Sequence, residues 1–275
     1  MGNPRRDPLS LAQAEGGAPL VNSVVRAFSI LRCFEHGRGH ADGRYLGNQD
    51  IARRTRLPKA TVSRLTQTLA ALGYLEYSPS LEKYALGPAV LGLGHAYMAG
   101  HDVIDIAQPL MQELADYTQA AVMLAVPEGL RMLLLEVCQG DAMFNLRLEK
   151  GSRVPHGTTA LGRADLAARP REVFEQRLAE LEGTSTPEAW PRIRAGIERA
   201  RKDYETYGFV FSLGDWNPDV FAVGVPMVSA DGTRHFAFNI SGRLSVMTRE
   251  KLVQDFGPRL VALRNRVYES TEGRF

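Results

Sequence analysis

The chain of 275 residues carries 33 Lys and Arg against 31 Asp and Glu, is 44% hydrophobic and 23% charged, and has only two cysteines, Cys33 and Cys138. These numbers fit one large or two modest globular domains and exclude a disulfide scaffold or the usual zinc ribbons and fingers. No apolar run reaches the roughly 18–20 residues that span a bilayer, and the first twenty residues hold Arg5 and Arg6 but no apolar stretch of a secretory signal, so a soluble cytoplasmic protein without a membrane partner is expected.

The charge is unevenly placed. Residues 21–88 hold 10 Lys and Arg against 5 Asp and Glu, a net of +5, whereas residues 89–275 hold 21 against 24, a net of −3. A small basic block joined to a larger, mildly acidic one suggests one module for a polyanion and another for a different ligand.

Residues 1–20 lack periodicity and read as a mobile tail. From Val21 the apolar residues Val24, Phe28, Leu31 and Phe34 recur at steps of three and four, a helical period. A loop over Gly37–Gly43 ends that helix. A short second helix near Asn48 to Thr55 places Ile51 and Ala52 inward, and Gly47 or Asn48 starts it. The third helix opens at Pro58, is expected to bury Val62, Leu65, Leu69 and Leu72, and stops at Gly73. Two short strands follow, Tyr74–Tyr77 and Lys83–Leu86, around Ser78-Pro79-Ser80.

Beyond Gly87-Pro88, a helix over Ala89–Met98 leads into a longer one, whose buried face is expected to comprise Val103, Ile106, Leu110, Leu114 and Tyr117. Strand-like runs then appear at Ala121–Val126, Met132–Val137 and Phe144–Leu148. Helical stretches cover Thr159–Ala168, Arg171–Glu182 and Trp190–Tyr204, and further strands are expected at Phe209–Leu213, Val220–Val228 and His235–Ile240. A last helix carries Leu252, Phe256, Leu260, Leu263 and Val267. Helices flanking some six short strands indicate an α+β domain with a mainly antiparallel sheet.

Helix, turn, helix and hairpin within residues 21–87 form a winged helix-turn-helix arrangement, in which the third helix turns one face to the core and the other to a DNA major groove. Outside the apolar positions, that helix offers Lys59, Ala60, Thr61, Ser63, Arg64, Thr66 and Gln67. Hydroxyls and amides reach base edges or phosphates, and an arginine can grip a guanine or a phosphate. Leu57 to Leu75 contains no acidic residue. The bland alternative is a merely soluble amphipathic helix.

The segments Leu57-Pro-Lys-Ala-Thr-Val-Ser-Arg-Leu65, Thr68-Leu69 and Leu72-Gly-Tyr-Leu75 resemble the recognition-helix signature of IclR-type transcriptional regulators. The likeness extends along the chain, through Val21-Asn-Ser-Val-Val-Arg-Ala-Phe28, Asp50-Ile-Ala52, Tyr84-Ala-Leu-Gly87 with Leu91-Gly92, and Thr159-Ala-Leu-Gly-Arg-Ala164. Tyr207-Gly-Phe209 and Val225-Pro226 fall in matching order.

The resemblance implies a winged helix-turn-helix domain over 21–87, a linker helix over 88–101 and a GAF-like effector domain over 102–275. Such a regulator acts as a homodimer or tetramer on a near-palindromic double-stranded operator, and repression is the expected direction. By position, Lys59, Ala60, Thr61 and Arg64 would face the major groove, with Ser63 and Thr66 toward the DNA backbone and Lys83 in the wing on a phosphate. Arg26 fits either a DNA contact or a salt bridge. Arg56 stands where the family commonly has Gly, which costs on the order of 1 kcal/mol if that turn needs positive φ.

For the effector, the resemblance points to the backbone amides of Ala160 and Leu161 and to Ser212, Ala222, Asn239 and Ser241. Amides that open a helix suit a carboxylate, so a small, anionic organic metabolite is expected. Asn239 and Ser241 have an alternative reading as sheet residues facing solvent. The run Pro155-His-Gly-Thr-Thr159 departs from the family order, as does Ser212-Leu-Gly-Asp-Trp-Asn217. Asp215 and Trp216 in the latter are candidates for a modified pocket wall, or Trp216 plugs the core or an oligomer contact.

No cofactor or metal site is expected, although Cys138 and His156 would suit zinc if they met in space. Gly92-Leu-Gly-His-Ala-Tyr97 lacks the third glycine of a dinucleotide fingerprint and reads better as linker helix. There is no Walker loop and no G-x-S-x-G elbow. The alternative class is a small-molecule-processing enzyme with an accessory basic module.

Overall fold

A computed structural model describes residues 20–35, 44–140 and 148–275. Most of the expected tail, the loop over 37–43 and all but Leu148 of the strand-like run Phe144–Leu148 lie outside the described residues. The chain divides into two compact units, one ending at Ala99 and one spanning Gly100–Phe275.

In the first unit, α1 (Asn22–Arg32), α2 (Asn48–Thr55) and α3 (Lys59–Ala71) precede the antiparallel hairpin β1 (Leu75–Ser78) and β2 (Lys83–Leu86). Leu46 joins the hairpin edge through reciprocal 2.9 Å backbone bonds with Tyr84. Ile30, Phe34, Leu46, Ile51, Val62, Leu69, Leu75 and Tyr84 form its core. Two expected core positions on α3 differ: Leu65 is half-buried and Leu72 is 61% exposed. Leu72 is where α3 ends, and Gly73 turns the chain away with φ +77°. Helix α4 (Ala89–Ala99) has no buried residue among those described.

The second unit is built on a six-stranded, wholly antiparallel sheet in the order β5-β4-β3-β8-β7-β6. Its strands are β3 (Ala121–Glu128), β4 (Arg131–Gln139), β5 (Arg153–Pro155), β6 (Val210–Leu213), β7 (Val220–Val228) and β8 (His235–Arg243). The sequence patterning misses β5, which has only three residues. Along β3, Ala121, Met123 and Ala125 pack with Leu161 and Ala164 of α6 (Ala160–Ala167), while Val122 and Leu124 point to the opposite face and are equally buried. Burial on both faces makes the central strands continuous apolar runs rather than alternating ones.

Helix α5 (Asp102–Thr118) packs on β3 and β4 and against α10 (Gly257–Ser270), which covers β7 and β8. The buried stripe of α5 is Val103, Ile104, Ala107, Met111, Leu114, Ala115 and Thr118, so Tyr117, expected inward, is 54% exposed. On the other face lie α6, α7 (Arg171–Thr184) and α8 (Trp190–Tyr207). A short α9 (Arg249–Lys251) runs through a π-helical turn, Leu252–Phe256, into α10. The wider turn keeps Leu252, Phe256, Leu260, Leu263 and Val267 all buried.

Candidate nucleic-acid interface and effector cavity

Helix α3 starts behind Pro58, whose extended ψ of 140° marks the entry. Ahead of it, Arg56 ends α2 in the left-handed conformation, φ +58° and ψ +23°. The turn therefore does require positive φ, and Arg56 carries the strain that a glycine would avoid. The Thr55 hydroxyl steadies this turn by donating to the Ile51 carbonyl at 2.7 Å and accepting from the Leu57 amide at 3.4 Å.

Lys59, Ala60, Arg64 and Gln67 are exposed on α3, and Thr61 and Ser63 are half-buried beside them. Among the described residues, Arg56, Lys59 and Arg64 form no ion pair, whereas Arg53 is engaged with Asp50 at 2.6 Å. Ser63 and Gln67 open onto a groove shared with Tyr77, Glu82 and Tyr84 of the hairpin. Lys83 is half-buried at the base of that hairpin. The guanidinium Nε of Arg26 is buried without a hydrogen-bond partner, so the salt-bridge alternative for this residue finds no partner among the described residues.

Thr66 requires a correction. It is wholly buried, and its hydroxyl bonds to the Val62 carbonyl at 3.0 Å, the Ser63 carbonyl at 3.1 Å and Asn48 Oδ1 at 3.2 Å. It ties α3 to α2 and fixes their crossing instead of facing DNA.

In the second unit, Met123, Leu148, Val154, Thr159, Ala160, Leu161, Ser212, Trp216, Val220, Ala222, Asn239 and Ser241 line a cavity partly open to solvent, with about 350 Å³ of unfilled space counting its mouth. Only about 20 Å³ of it admits the centre of a water molecule, so the walls are close together. Asn239 sits opposite Met123 and Gly224, and Ser241 opposite Ala121 and Ala222, so the sheet register aims both side chains at the face that carries α6. Gly224 lets α6 approach: a β-carbon there would lie 2.5 Å from the Ala160 carbonyl oxygen.

The N-terminus of α6 is capped by Thr159, whose hydroxyl accepts from the Gly162 amide at 3.2 Å and donates to the Pro155 carbonyl at 2.7 Å. The Ala160 and Leu161 amides have no acceptor among the described residues. Across from them, Asn239 Oδ1 and Ser241 Oγ are buried with no hydrogen-bond partner. Buried polar groups are nearly always paired, so this wall leaves an unusual set of polar groups without a protein partner among the described residues. Ser212 lines the same cavity while its hydroxyl donates to the Thr158 carbonyl at 2.7 Å. Trp216 is half-buried and lines this cavity instead of plugging the core.

Asp215 also requires a correction. It is absent from the cavity lining and instead accepts from Arg163 at 2.7 Å. Burial pulls the Arg163 pKa down, and the Asp215 charge opposes that fall.

Deeper in α6, Asp165 is 1% exposed and gathers His156 Nε2 at 2.8 Å, both Nε and an Nη of Arg169 at 3.1 and 2.7 Å, and His235 Nδ1 at 3.4 Å. Burial alone would raise the Asp165 pKa, but the bonds from His156 and Arg169, with His235 close by, overcome it and hold the carboxyl well below the usual carboxylate range.

The contacts place Cys138 and His156 in different settings. Cys138 donates to the Gln108 carbonyl at 3.7 Å, and burial together with Glu136 pushes its thiol up to about 11. Among the described residues no cluster of His, Cys, Asp and Glu could hold a metal, and no helix is long and apolar enough to cross a membrane.

Residues 23–79 match the model of the IclR helix-turn-helix domain, and residues 95–266 match that of the bacterial transcriptional regulator IclR C-terminal domain. The chain is 36% identical over 248 residues to the HTH-type transcriptional regulator TsaQ1/TsaQ2 of Comamonas testosteroni, covering 90% of this chain and 87% of that one. An IclR family transcriptional regulator from Brucella abortus superposes with a TM-score of 0.81 at 39% identity, over 93% of this chain and 96% of that one. An IclR homolog from Microbacterium hydrocarbonoxydans, crystallised with 4-hydroxybenzoate, shares the fold with a TM-score of 0.71 at 22% identity, over 90% of this chain and 99% of that one. A helix-turn-helix unit whose third helix carries no acidic residue, an antiparallel effector domain and these likenesses converge: the chain belongs to the IclR family of transcriptional regulators.

Proposed function

We propose that this regulator binds a near-palindromic operator through α3, as a repressor relieved or reinforced by a small organic acid in the cavity beside α6. Lys59, Ala60, Thr61, Arg64 and Gln67 meet base edges, and Ser63, Lys83 and Arg26 meet the phosphate backbone. Repression is the default direction, because a protein seated on its operator excludes others without further contacts. The chain works in the cytoplasm, where its DNA lies, and is a regulator rather than an enzyme, as are the relatives that share its two domains.

The observation that carries the effector reading is the pairing of open amides at Ala160 and Leu161 with the orphaned oxygens of Asn239 and Ser241. A carboxylate fits the amides and the positive end of the helix dipole, while a hydroxyl or N–H on the same ligand satisfies Asn239 and Ser241. Exposed apolar side chains at and on α1 (Val21 just before it, Val24, Phe28) and on α4 (Leu91, Leu93, Tyr97) support a homodimer. The family matches over 23–79 and 95–266 support a DNA-binding part and an effector part, and the limits proposed for them are 21–87 and 102–275, with α4 in the linker between.

The test pairs thermal melting with gel-shift titration of DNA from the gene's own upstream region. We expect a small aromatic or aliphatic carboxylate, 4-hydroxybenzoate being the first probe, to raise the melting temperature and shift operator affinity. A ligand at a hundred times its Kd stabilises by about 2.7 kcal/mol. A carboxylate panel that moves neither quantity overturns the effector reading, and failure to shift the upstream DNA overturns the operator reading.

A further inference from the structure

The wall of the cavity that contains Trp216 is held from behind by one buried guanidinium. Arg163 is 4% exposed, and it lies one turn into α6, below the amides that face the cavity. Its Nε donates to the Gly157 carbonyl at 3.2 Å, and one Nη donates both to the Phe211 carbonyl at 3.0 Å and to Asp215 at 2.7 Å. Each acceptor adjoins a lining segment. Gly157 precedes Thr159, Phe211 precedes Ser212, and Asp215 precedes Trp216.

The surrounding structure makes room for this side chain. On α8, a β-carbon at Gly196 would sit 2.0 Å from Arg163 Nη2, so the helix passes the guanidinium where only glycine fits. Arg199 and Asp203, also on α8, are the other charged groups felt by Arg163. Arg192 reaches Asp215 only at 3.7 Å from a side chain 73% exposed, a weak tether beside the buried one. A planar fork with five donors can hold three acceptors on separate segments, which an ammonium on a flexible stem does poorly.

We propose that Arg163 is a positioning residue for effector recognition: its ion pair with Asp215 seats Trp216 as a fixed wall of the cavity and so sets the size of ligand admitted. The inference rests on the reading of this cavity as the effector site. Released from Asp215, the 214–217 loop swings outward, small acids lose a packing surface, and bulkier aromatic acids gain space.

The experiment uses the full chain with Trp190→Phe, which leaves Trp216 as the sole tryptophan of the two. Acrylamide quenching of Trp216 is measured without ligand in this parent and with Asp215→Ala, Asp215→Asn or Arg192→Ala added. We expect Asp215→Ala to raise the quenching constant severalfold, Asp215→Asn, which keeps an acceptor oxygen, to lie between, and Arg192→Ala to match the parent. In parallel, Asp215→Ala should weaken 4-hydroxybenzoate binding at least about tenfold, the scale of losing an apolar wall, while 2-naphthoate loses less or gains.

Unchanged quenching in a folded Asp215→Ala protein overturns the clamp, as does an equal loss for both acids. If Asp215→Ala does not fold, the Asp215→Asn comparison with Arg192→Ala decides in the same way. If no acid binds the parent, the effector reading fails, yet the ligand-free quenching still decides whether Arg163 holds Trp216 in place.

Discussion

Replacing Asp165 by alanine removes the anionic centre of a buried network and should be among the most damaging single changes in the effector domain. The carboxylate takes two bonds from Arg169, one from His156 and the approach of His235, all within a site whose side chains are 1–16% exposed. Removal strands a guanidinium that is mostly buried and two imidazoles that, among the described residues, have no other partner for the nitrogens facing Asp165. Breaking a buried pair by deleting one member costs about 3–5 kcal/mol, roughly a fifth or more of the 5–15 kcal/mol stability of a typical domain. Asp165→Asn keeps one acceptor and should lose about half as much.

Urea unfolding followed by tryptophan emission measures this directly, because Trp190 and Trp216 both lie in the Gly100–Phe275 unit. A loss below about 1 kcal/mol for Asp165→Ala would refute the claim that the network anchors α6. The same lowered pKa fixes the sign of the acid response. The folded carboxyl is ionised further into acid than the unfolded one, so its stabilisation is complete above the unfolded Asp pKa of about 3.9 and decays as the pH drops below it toward the folded value. Asp165→Ala should therefore flatten the stability profile below about pH 4.

Three further outcomes follow from named contacts. Arg64→Ala should weaken operator binding by about 1–3 kcal/mol if the side chain grips a guanine, or uniformly with a salt slope smaller by about 1 if it grips a phosphate; its melting curve should stay put, and unchanged gel-shift affinity would remove Arg64 from the interface. Arg56→Gly should relieve the left-handed turn and stabilise the first unit by up to about 1 kcal/mol, less the added freedom of the unfolded chain; hydrogen exchange of the α2 and α3 amides reads this, and lower protection would contradict it. Gly224→Ala should force α6 off the sheet at the Ala160 carbonyl, costing about 1–3 kcal/mol of stability and lowering affinity for small carboxylates; isothermal titration showing full affinity would mean that the amide wall does not bind the acid.

Much of the fold is legible in the linear chain because its signals are local. Pro58 opens α3 and Gly73 closes it, the strands β3, β7 and β8 are apolar runs of the right length, and the final helix repeats its apolar residues so regularly that even a π-helical turn keeps them inward. Arg56 stands out only through the family resemblance, which commonly has Gly there, and the structure supplies the positive φ that makes it strained. The cationic, acid-free face of α3 is likewise a property of one short segment.

What the linear chain withholds is set by partners far along it. Thr66 reads as one more surface hydroxyl until Asn48, eighteen residues earlier, is folded against it. Asp215 reads as a pocket carboxylate until Arg163, fifty-two residues away, claims it. Asp165, His156 and His235 carry no spacing that marks them, because α6, β8 and the loop after β5 meet only when the sheet is assembled. The buried stripe of α5 differs from the expected one for a related reason: α10 packs against it, and which residues face a neighbouring helix depends on where that helix lies. Local propensity and period settle which elements form, whereas burial of a polar or charged side chain is favourable only with its partner in place, and tertiary packing alone supplies that partner.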